Sequence, residues 1–289
     1  MNGCVCINNA YGDPQDAVIS IFDHGVLYGD GVFETIRTYS TIPFRLESHL
    51  DRLSASALVL GIQRIPPFSL LIEQVSETLR RADLKNALCR ITITRGQGEG
   101  LVLPPDCTPT VIVAALPFQE PPAEKYQKGI TGRTVRVDMP TLPPPTVKST
   151  SFQRAVLART HFAPNKDQEV LYINRDNNVT EAVTANVFAV VDGILHTPPA
   201  DSCLPGITRA ETLDIAAELD IPISTEPLPL RLLKTSNEAF LTSSLSEIVP
   251  LVKLDGCNIN NGTPGRITHL LHSHYQQRVH ALVKANNQK

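Results

Sequence analysis

Residues 141–160 read T-L-P-P-P-T-V-K-S-T-S-F-Q-R-A-V-L-A-R-T. Consecutive prolines restrict the backbone, so the chain reaches Lys148 as a stiff, non-helical approach. Three small hydroxyl residues follow, and then a helical pattern begins. Ser149, Thr150 and Ser151 are expected to supply the cap that this helix needs. A lysine at the mouth of a helix sits near the positive end of its dipole, which is slightly unfavourable for a surface cation. The same placement has a chemical use. Burial and a positive helix end lower a lysine pKa and make its amine nucleophilic toward an aldehyde. Both readings stand on these residues alone.

The rest of the chain narrows the choice. It has 289 residues and is 42% hydrophobic, enough for two domains with cores of their own. Lys and Arg number 26 against 29 Asp and Glu, for a formal net charge of -3. With no basic block and only 5% aromatic residues, nucleic acid is not an expected partner. The start, M-N-G-C-V-C-I-N-N-A-Y-G-D, lacks the pattern of a signal peptide, and no apolar run has the length of a membrane span. A cytoplasmic location is expected, without membrane contact. The six cysteines show no zinc-site spacing and read as thiols in a reducing compartment, so no metal is expected.

Strands are expected at Val18–Phe22, 32–39, 87–95 and 108–116, with helices over 47–62 and Ser69–Ala82. These form a small α+β domain, 1–117. A proline-rich linker is expected over 118–126. The second domain, 127–289, is expected to carry Lys148. It holds a strand at 129–137, a hairpin meander broken by D-N-N and V-D-G, a helix at 209–219, a strand at 238–244 and a helical tail from Arg266. Strands and helices do not alternate regularly, which argues against a Rossmann fold.

Three places suit a phosphate. In P-G-I-T-R-A-E-T (205–212), Gly206, Ile207 and Thr208 open a helix whose free N–H groups favour an anion, although an ordinary Thr cap has the same appearance. T-S-S-L-S-E (242–247) offers hydroxyls at a strand end, and Arg52 offers a cation on an amphipathic helix. Glu181 follows Lys148 by 33 residues. A carboxylate beside a pyridine nitrogen keeps the ring protonated and electron-withdrawing. Amine, acid and anion cradle are together the protein parts that pyridoxal 5'-phosphate requires.

Here the chain resembles the class IV (fold-type IV) pyridoxal-phosphate enzymes. That family includes branched-chain and D-amino-acid aminotransferases, (R)-selective amine transaminases and aminodeoxychorismate lyase. The likeness runs through D-H-G-V-L-Y-G-D-G-V-F-E-T-I-R-T-Y (23–39), H-L-D-R-L (49–53), K-S-T-S (148–151), V-T-E-A-V-T-A-N-V-F (179–188), L-P-G-I-T-R (204–209) and F-L-T-S-S-L-S-E-I-V-P (240–250). It implies an α+β protein with a small α+β domain and a larger domain with a β-barrel-like core. It also implies a homodimer or larger homo-oligomer. By the resemblance, Lys148 is the Schiff-base lysine and moves the substrate α-proton, and Glu181 is the pyridine-nitrogen partner. Arg52, Gly206, Ile207, Thr208, Ser243 and Ser244 form the phosphate cup. Leu245 and Ser246 offer N–H groups to the substrate carboxylate, Tyr28 and Phe33 line the pocket, and Arg90 and Arg95 shape carboxylate recognition.

Some residues depart from the family's branches. Gln153 stands where branched-chain enzymes carry a tyrosine, F-E-T-I-R replaces F-E-G-I-R, and S-S-L-S-E replaces G-T-A-A-E. The D-amino-acid trap R-G-x-x-x-x-R-x-H is absent from 95–101. The leading expectation is an aminotransferase acting between an amino acid or primary amine and a 2-oxo acid. The alternatives are an aminodeoxychorismate lyase releasing pyruvate and 4-aminobenzoate, and a non-catalytic pyridoxal-phosphate-binding protein.

Overall fold

The structure is a computed structural model that describes residues 2–102, 107–137, 142–165 and 167–286. Thr141, the first residue of the proline-rich stretch, and the tail 287–289 lie outside these residues. The chain divides into two compact units. The first takes Met1–Gln119, the segment Val147–Phe152 and the residues from Ala281 onward, and the second takes Glu120–Thr146 and Gln153–His280.

In chain order the first unit contains β1 (Cys4–Ile7), β2 (Ala10–Gly12), α1 (His24–Tyr28), β3 (Gly31–Tyr39), β4 (Ile42–Pro43), α2 (Leu46–Val59), α3 (Phe68–Ala82), β5 (Ala87–Thr94) and β6 (Thr110–Pro117). The six strands form one antiparallel sheet in the order β2-β1-β6-β5-β3-β4. Side chains alternate across a strand. Val32 and Ile36 therefore face one side with Cys89, Ile91 and Ile93, and they share a core with Leu50, Leu53 and Ala57 of α2 and Leu71 and Val75 of α3. Phe33, Thr35 and Arg37 project from the opposite face, where Arg90 lies opposite Thr35 on β5.

Two local expectations change here. Val18–Phe22 forms no strand; Phe22 N–H donates to Ser20 Oγ at 3.1 Å and Asp23 N–H to the Ser20 carbonyl, which makes a turn. The apolar run has no partner strand, and Val18, Ile21 and Phe22 stay exposed. The hairpin β1–β2 was not expected, because its three-residue second strand gives no periodic signal.

The second unit continues with α4 (Ala123–Lys128), β7 (Ile130–Arg136), α5 (Gln153–Phe162), β8 (Gln168–Ile173), β9 (Asn178–Ala182), β10 (Asn186–Val191), β11 (Ile194–His196) and α6 (Ile207–Glu218). Then come β12 (Ile223–Ser224), β13 (Leu228–Pro229), α7 (Leu230–Lys234), β14 (Glu238–Ser243), β15 (Glu247–Leu254), β16 (Cys257–Asn258) and α8 (Arg266–Asn286). Nine strands follow one path, β12-β11-β10-β14-β15-β7-β8-β9-β13, with β16 on β15. The β15–β7 and β7–β8 pairs are parallel, which requires crossovers; α5 lies in the chain between β7 and β8. β9 and β10 are joined by only three residues yet stand five places apart on the path. The sheet therefore curls until these strands approach, giving a barrel-like core of Val187, Ala189, Leu241, Val249, Leu251 and Leu171.

The segment Val147–Phe152 departs from the expected domain plan, because its backbone is bound to β3. Phe33 N–H donates to the Lys148 carbonyl at 3.0 Å, Thr150 N–H to the Gly31 carbonyl at 2.8 Å, and Val32 and Ser149 form a bridge. Val147 is buried in the first unit's core.

Candidate active site

Lys148 is not at a helix mouth. Four residues separate it from α5, so the helix dipole does not act on it at close range. Nor do the hydroxyls cap that helix as expected. Ser149 Oγ accepts from Ser151 N–H at 3.1 Å, closing a local turn, and Thr150 Oγ1 donates to the Gly29 carbonyl at 2.7 Å. What fixes Lys148 is a short extended stretch, pinned by β3 on one side and by Ser56 Oγ, which accepts its N–H at 3.2 Å. Gly31 permits this approach: a Cβ there would lie 2.9 Å from the Ile93 carbonyl oxygen and 3.1 Å from Thr150 Oγ1. That is the physical content of the glycines in L-Y-G-D-G-V-F-E.

The half-buried Lys148 places its Nζ 4.8 Å from the centre of the Phe33 ring, and the Arg90 guanidinium lies 3.8 Å from the same centre. Two cations thus share one aromatic ring. Burial lowers the Arg90 pKa, with Glu34 opposing. No hydrogen bond or ion pair holds the Arg90 side chain among the described residues, so its fork is available to a carboxylate. Phe152 meets Phe33 edge-on at 5.4 Å, and the exposed Tyr28 meets His24 edge-on at 4.9 Å.

Arg52 is held from below by a residue that sequence reasoning missed. Glu34 is fully buried and accepts from Arg52 Nε and Nη2, both at 2.7 Å, while His49 Nδ1 lies 2.6 Å from Glu34 Oε2. Burial pushes the Glu34 carboxyl upward, but hydrogen bonds from Arg52 and His49 overcome it and bring the pKa down to about 2. Burial also lowers His49, so the imidazole is a neutral donor to this carboxylate. The signal was present in the sequence. A glutamate on the core-facing positions of V-F-E-T-I needs a partner, and H-x-x-R places two donors one helical turn apart.

Arg95 departs from its expected role. Its Nε and Nη2 donate to the two carboxylate oxygens of Asp30 at 2.6 and 3.0 Å, and Nη1 and Nη2 donate to the carbonyls of Gly61 and Leu60. A guanidinium so committed is a clamp on the backbone and has little left for a substrate carboxylate. Arg37 is the other arginine on the sheet face that carries Arg90, stacked on the rings of Tyr39 and Phe118 at 4.3 and 4.5 Å.

The second unit carries the remaining set. Glu181 Oε2 accepts the Leu204 N–H at 3.0 Å, and Asn186 Nδ2 donates to the Leu204 carbonyl at 2.7 Å. The acid and the entry to α6 are therefore fixed to one another. Gly206 precedes the first turn of α6 with ordinary dihedrals, but a Cβ there would lie 1.9 Å from Asn186 Oδ1, so only glycine fits. No side chain caps α6 and no acid lies in its first turn, which leaves the N–H groups of Ile207 and Thr208 as an anion cradle. Arg209 ties this turn to the Pro198 carbonyl at 2.8 Å. At the other sequence-predicted loop, Ser243 Oγ accepts Ser246 N–H at 3.2 Å, while Ser244 and Leu245 form the turn between β14 and β15. Ser243 is thus engaged within its own turn.

Residues 31–254 match the sequence profile of the amino-transferase class IV family. This chain belongs to that family. A Methanocaldococcus jannaschii protein, provisionally named a branched-chain-amino-acid aminotransferase, is 38% identical over 266 residues, covering 91% of this chain and 92% of its own. The Bacillus subtilis aminodeoxychorismate lyase is 30% identical, with 96% of each chain covered. Among solved structures, the branched-chain amino acid aminotransferase of Escherichia coli superposes with a TM-score of 0.89 at 28% identity, covering 96% of this chain and 94% of that one. The fold is that of the fold-type IV aminotransferases, and this class IV aminotransferase is an enzyme of amino-group transfer. A related structure was solved with pyridoxamine 5'-phosphate. Within the second unit, the uncapped start of α6 and the pinned Glu181 carboxylate are the donor and acceptor types that a phosphate and a pyridine nitrogen take.

Proposed function

We propose that this class IV aminotransferase moves an amino group from a branched-chain amino acid to a 2-oxo acid, with pyridoxal 5'-phosphate as cofactor. The observation that carries the reading is Lys148 Nζ held over Phe33 beside Arg90. When bound, the cofactor withdraws electrons from the substrate α-carbon and makes its proton acidic. Lys148 Nζ would serve as base and then acid in a 1,3-proton shift, taking that proton and giving it up again within the same half of the cycle, and would do the reverse in the other half. Glu181 holds a negative charge toward the pyridine nitrogen. In the second unit the N–H groups of Ile207 and Thr208, with the Ser244 hydroxyl, hold the phosphate; Arg52 of the first unit is assigned to the phosphate by the family resemblance alone. Arg90 orients a carboxylate, the Leu245 N–H receives another, and Phe33 and Tyr28 exclude water around an aliphatic side chain; the Ser246 N–H, expected to share that role, is instead committed to Ser243 Oγ.

The test is a donor panel of L- and D-amino acids and (R)-amines, each with and without 2-oxoglutarate. Leucine, isoleucine and valine are expected to turn over only with the acceptor. Preference for D-alanine, or for an amine without a carboxylate, would contradict the substrate assignment.

A second reading, lyase chemistry, is favoured by Thr35 opposite Arg90 and by the similarity to the lyase. Release of pyruvate and 4-aminobenzoate from aminodeoxychorismate without an acceptor would select it.

The enzyme is proposed to act as a homodimer in the cytoplasm. Val18, Ile21, Phe22, Val26 and Leu27 expose an apolar run on the first unit, the kind of surface a second copy covers. Sedimentation should give a dimer; a monomer at micromolar concentration would exclude it. The six free cysteines suit a reducing compartment. Among the described residues, no helix is long and apolar enough to cross a membrane.

A further inference from the structure

The turn between β14 and β15 is braced from behind by Tyr126, His272 and Gln276, which lie outside every motif quoted above. Glu247 follows the turn, is buried, and has a φ of 56°, an unusual conformation for a residue with a side chain. Such a conformation persists only when its surroundings over-determine it. His272 of α8 supplies one restraint, with Nε2 at 2.8 Å from Glu247 Oε2, and Gln276 Nε2 donates to the same oxygen at 3.4 Å. Tyr126 of α4 supplies another. Its hydroxyl donates to the Ser246 carbonyl at 3.3 Å, and its ring stacks on His272 with centroids 4.8 Å apart and planes 20° from parallel.

An independent contact keys α8 to the other end of the same strand. Glu238, at the start of β14, accepts the N–H groups of Ile267 and Thr268 at 2.9 and 2.8 Å. Gly265 makes room for this, since a Cβ there would lie 1.9 Å from Glu238 Cδ. The helix is therefore fastened both where β14 begins and just past the turn where β14 ends. A rotation of Glu247 would carry the N–H groups of Leu245 and Ser246 with it, because the turn spans so few residues.

We propose that His272 and Tyr126 are positioning residues. Through Glu247 and the Ser246 carbonyl they set the direction of the turn's Ser244 hydroxyl and Leu245 N–H toward the phosphate and the substrate carboxylate. The proposal rests on the assignment of that turn made under Proposed function. Acting through the turn, they have their signature in binding rather than in proton transfer.

The experiment compares the full-length enzyme loaded with pyridoxal 5'-phosphate with His272→Leu, His272→Gln and Tyr126→Phe. KM, kcat, cofactor affinity and thermal unfolding are measured for each. Losing a hydrogen bond to a charged group should raise both KM and the cofactor Kd of His272→Leu about tenfold, with kcat within about threefold. His272→Gln restores a donor and should recover most of the loss. Tyr126→Phe keeps the ring and removes only the hydroxyl, so it should raise KM by about threefold. If His272→Leu does not fold, Tyr126→Phe and His272→Gln decide. Wild-type KM and Kd in folded His272→Leu and Tyr126→Phe, or a fall in kcat alone, would overturn the proposal. Ser244→Ala separates its failure from that of the underlying reading. Wild-type cofactor affinity in Ser244→Ala removes the turn assignment and this proposal with it. A weakened Ser244→Ala beside unaffected His272→Leu and Tyr126→Phe removes the positioning role alone.

Discussion

Lys148→Ala is expected to lose roughly a thousandfold or more in turnover while keeping its fold. The fold is spared because the backbone of residue 148 does the pairing: its N–H meets Ser56 Oγ and its carbonyl accepts from Phe33. Alanine retains both bonds. The side chain is half-buried and reaches over Phe33, so its loss removes some packing and one cation–ring contact, about 1 kcal/mol. What disappears is the amine that moves the α-proton. Arginine keeps the charge but does not deprotonate at neutral pH and so has no free electron pair to take the proton, so Lys148→Arg should fail as badly. Steady-state rates with leucine and 2-oxoglutarate, beside a thermal unfolding curve, check both halves. A folded Lys148→Ala protein with near-wild-type kcat would remove the assigned base.

The second large effect is on stability. Glu34→Gln leaves Arg52 buried against a neutral amide, and breaking a buried ion pair in this way costs about 3 kcal/mol. Cofactor affinity should fall with it, since Arg52 loses the carboxylate that fixes two of its nitrogens. The pH dependence has a definite sign. The Glu34 pKa drops on folding from 4.5 to about 2, so its contribution is complete above pH 4.5 and is lost as pH falls toward 2. His49 is also lowered on folding from its ordinary 6.5, so the unfolded chain takes up this proton first and stability declines below about that pH. Wild-type stability should therefore fall on acidification in two stages. The gap between wild type and Glu34→Gln should stay constant above pH 4.5 and close below it. Denaturant titrations across that range measure the gap; a Glu34→Gln protein as stable as wild type at pH 7 would show that the triad contributes nothing.

The long elements were legible because their periodicity is strong. Alternation in V-F-E-T-I-R-T-Y marks β3, and the apolar spacing through Leu50, Leu53 and Ala57 marks α2. Val18–Phe22 misled because apolar residues alone do not supply a pairing partner. Lys148 was legible as chemistry but not as position. Nothing local in P-P-P-T-V-K-S-T-S shows that its backbone will join β3, a contact more than a hundred residues away in sequence. Arg95 misled for a related reason, since its partners Asp30, Leu60 and Gly61 lie far upstream. Glu34 could have been found by asking what neutralises a charge on a core-facing strand position. His272 carries no motif, and only the packing of α8 brings it to Glu247.

The central claim is that Lys148 is the amine that joins the cofactor. Borohydride reduction of the enzyme loaded with pyridoxal 5'-phosphate, followed by peptide mapping, tests it directly. A phosphopyridoxyl group on the peptide containing Lys148, and on no other, is the expected result. The label on a different lysine, or no label at all, would contradict it.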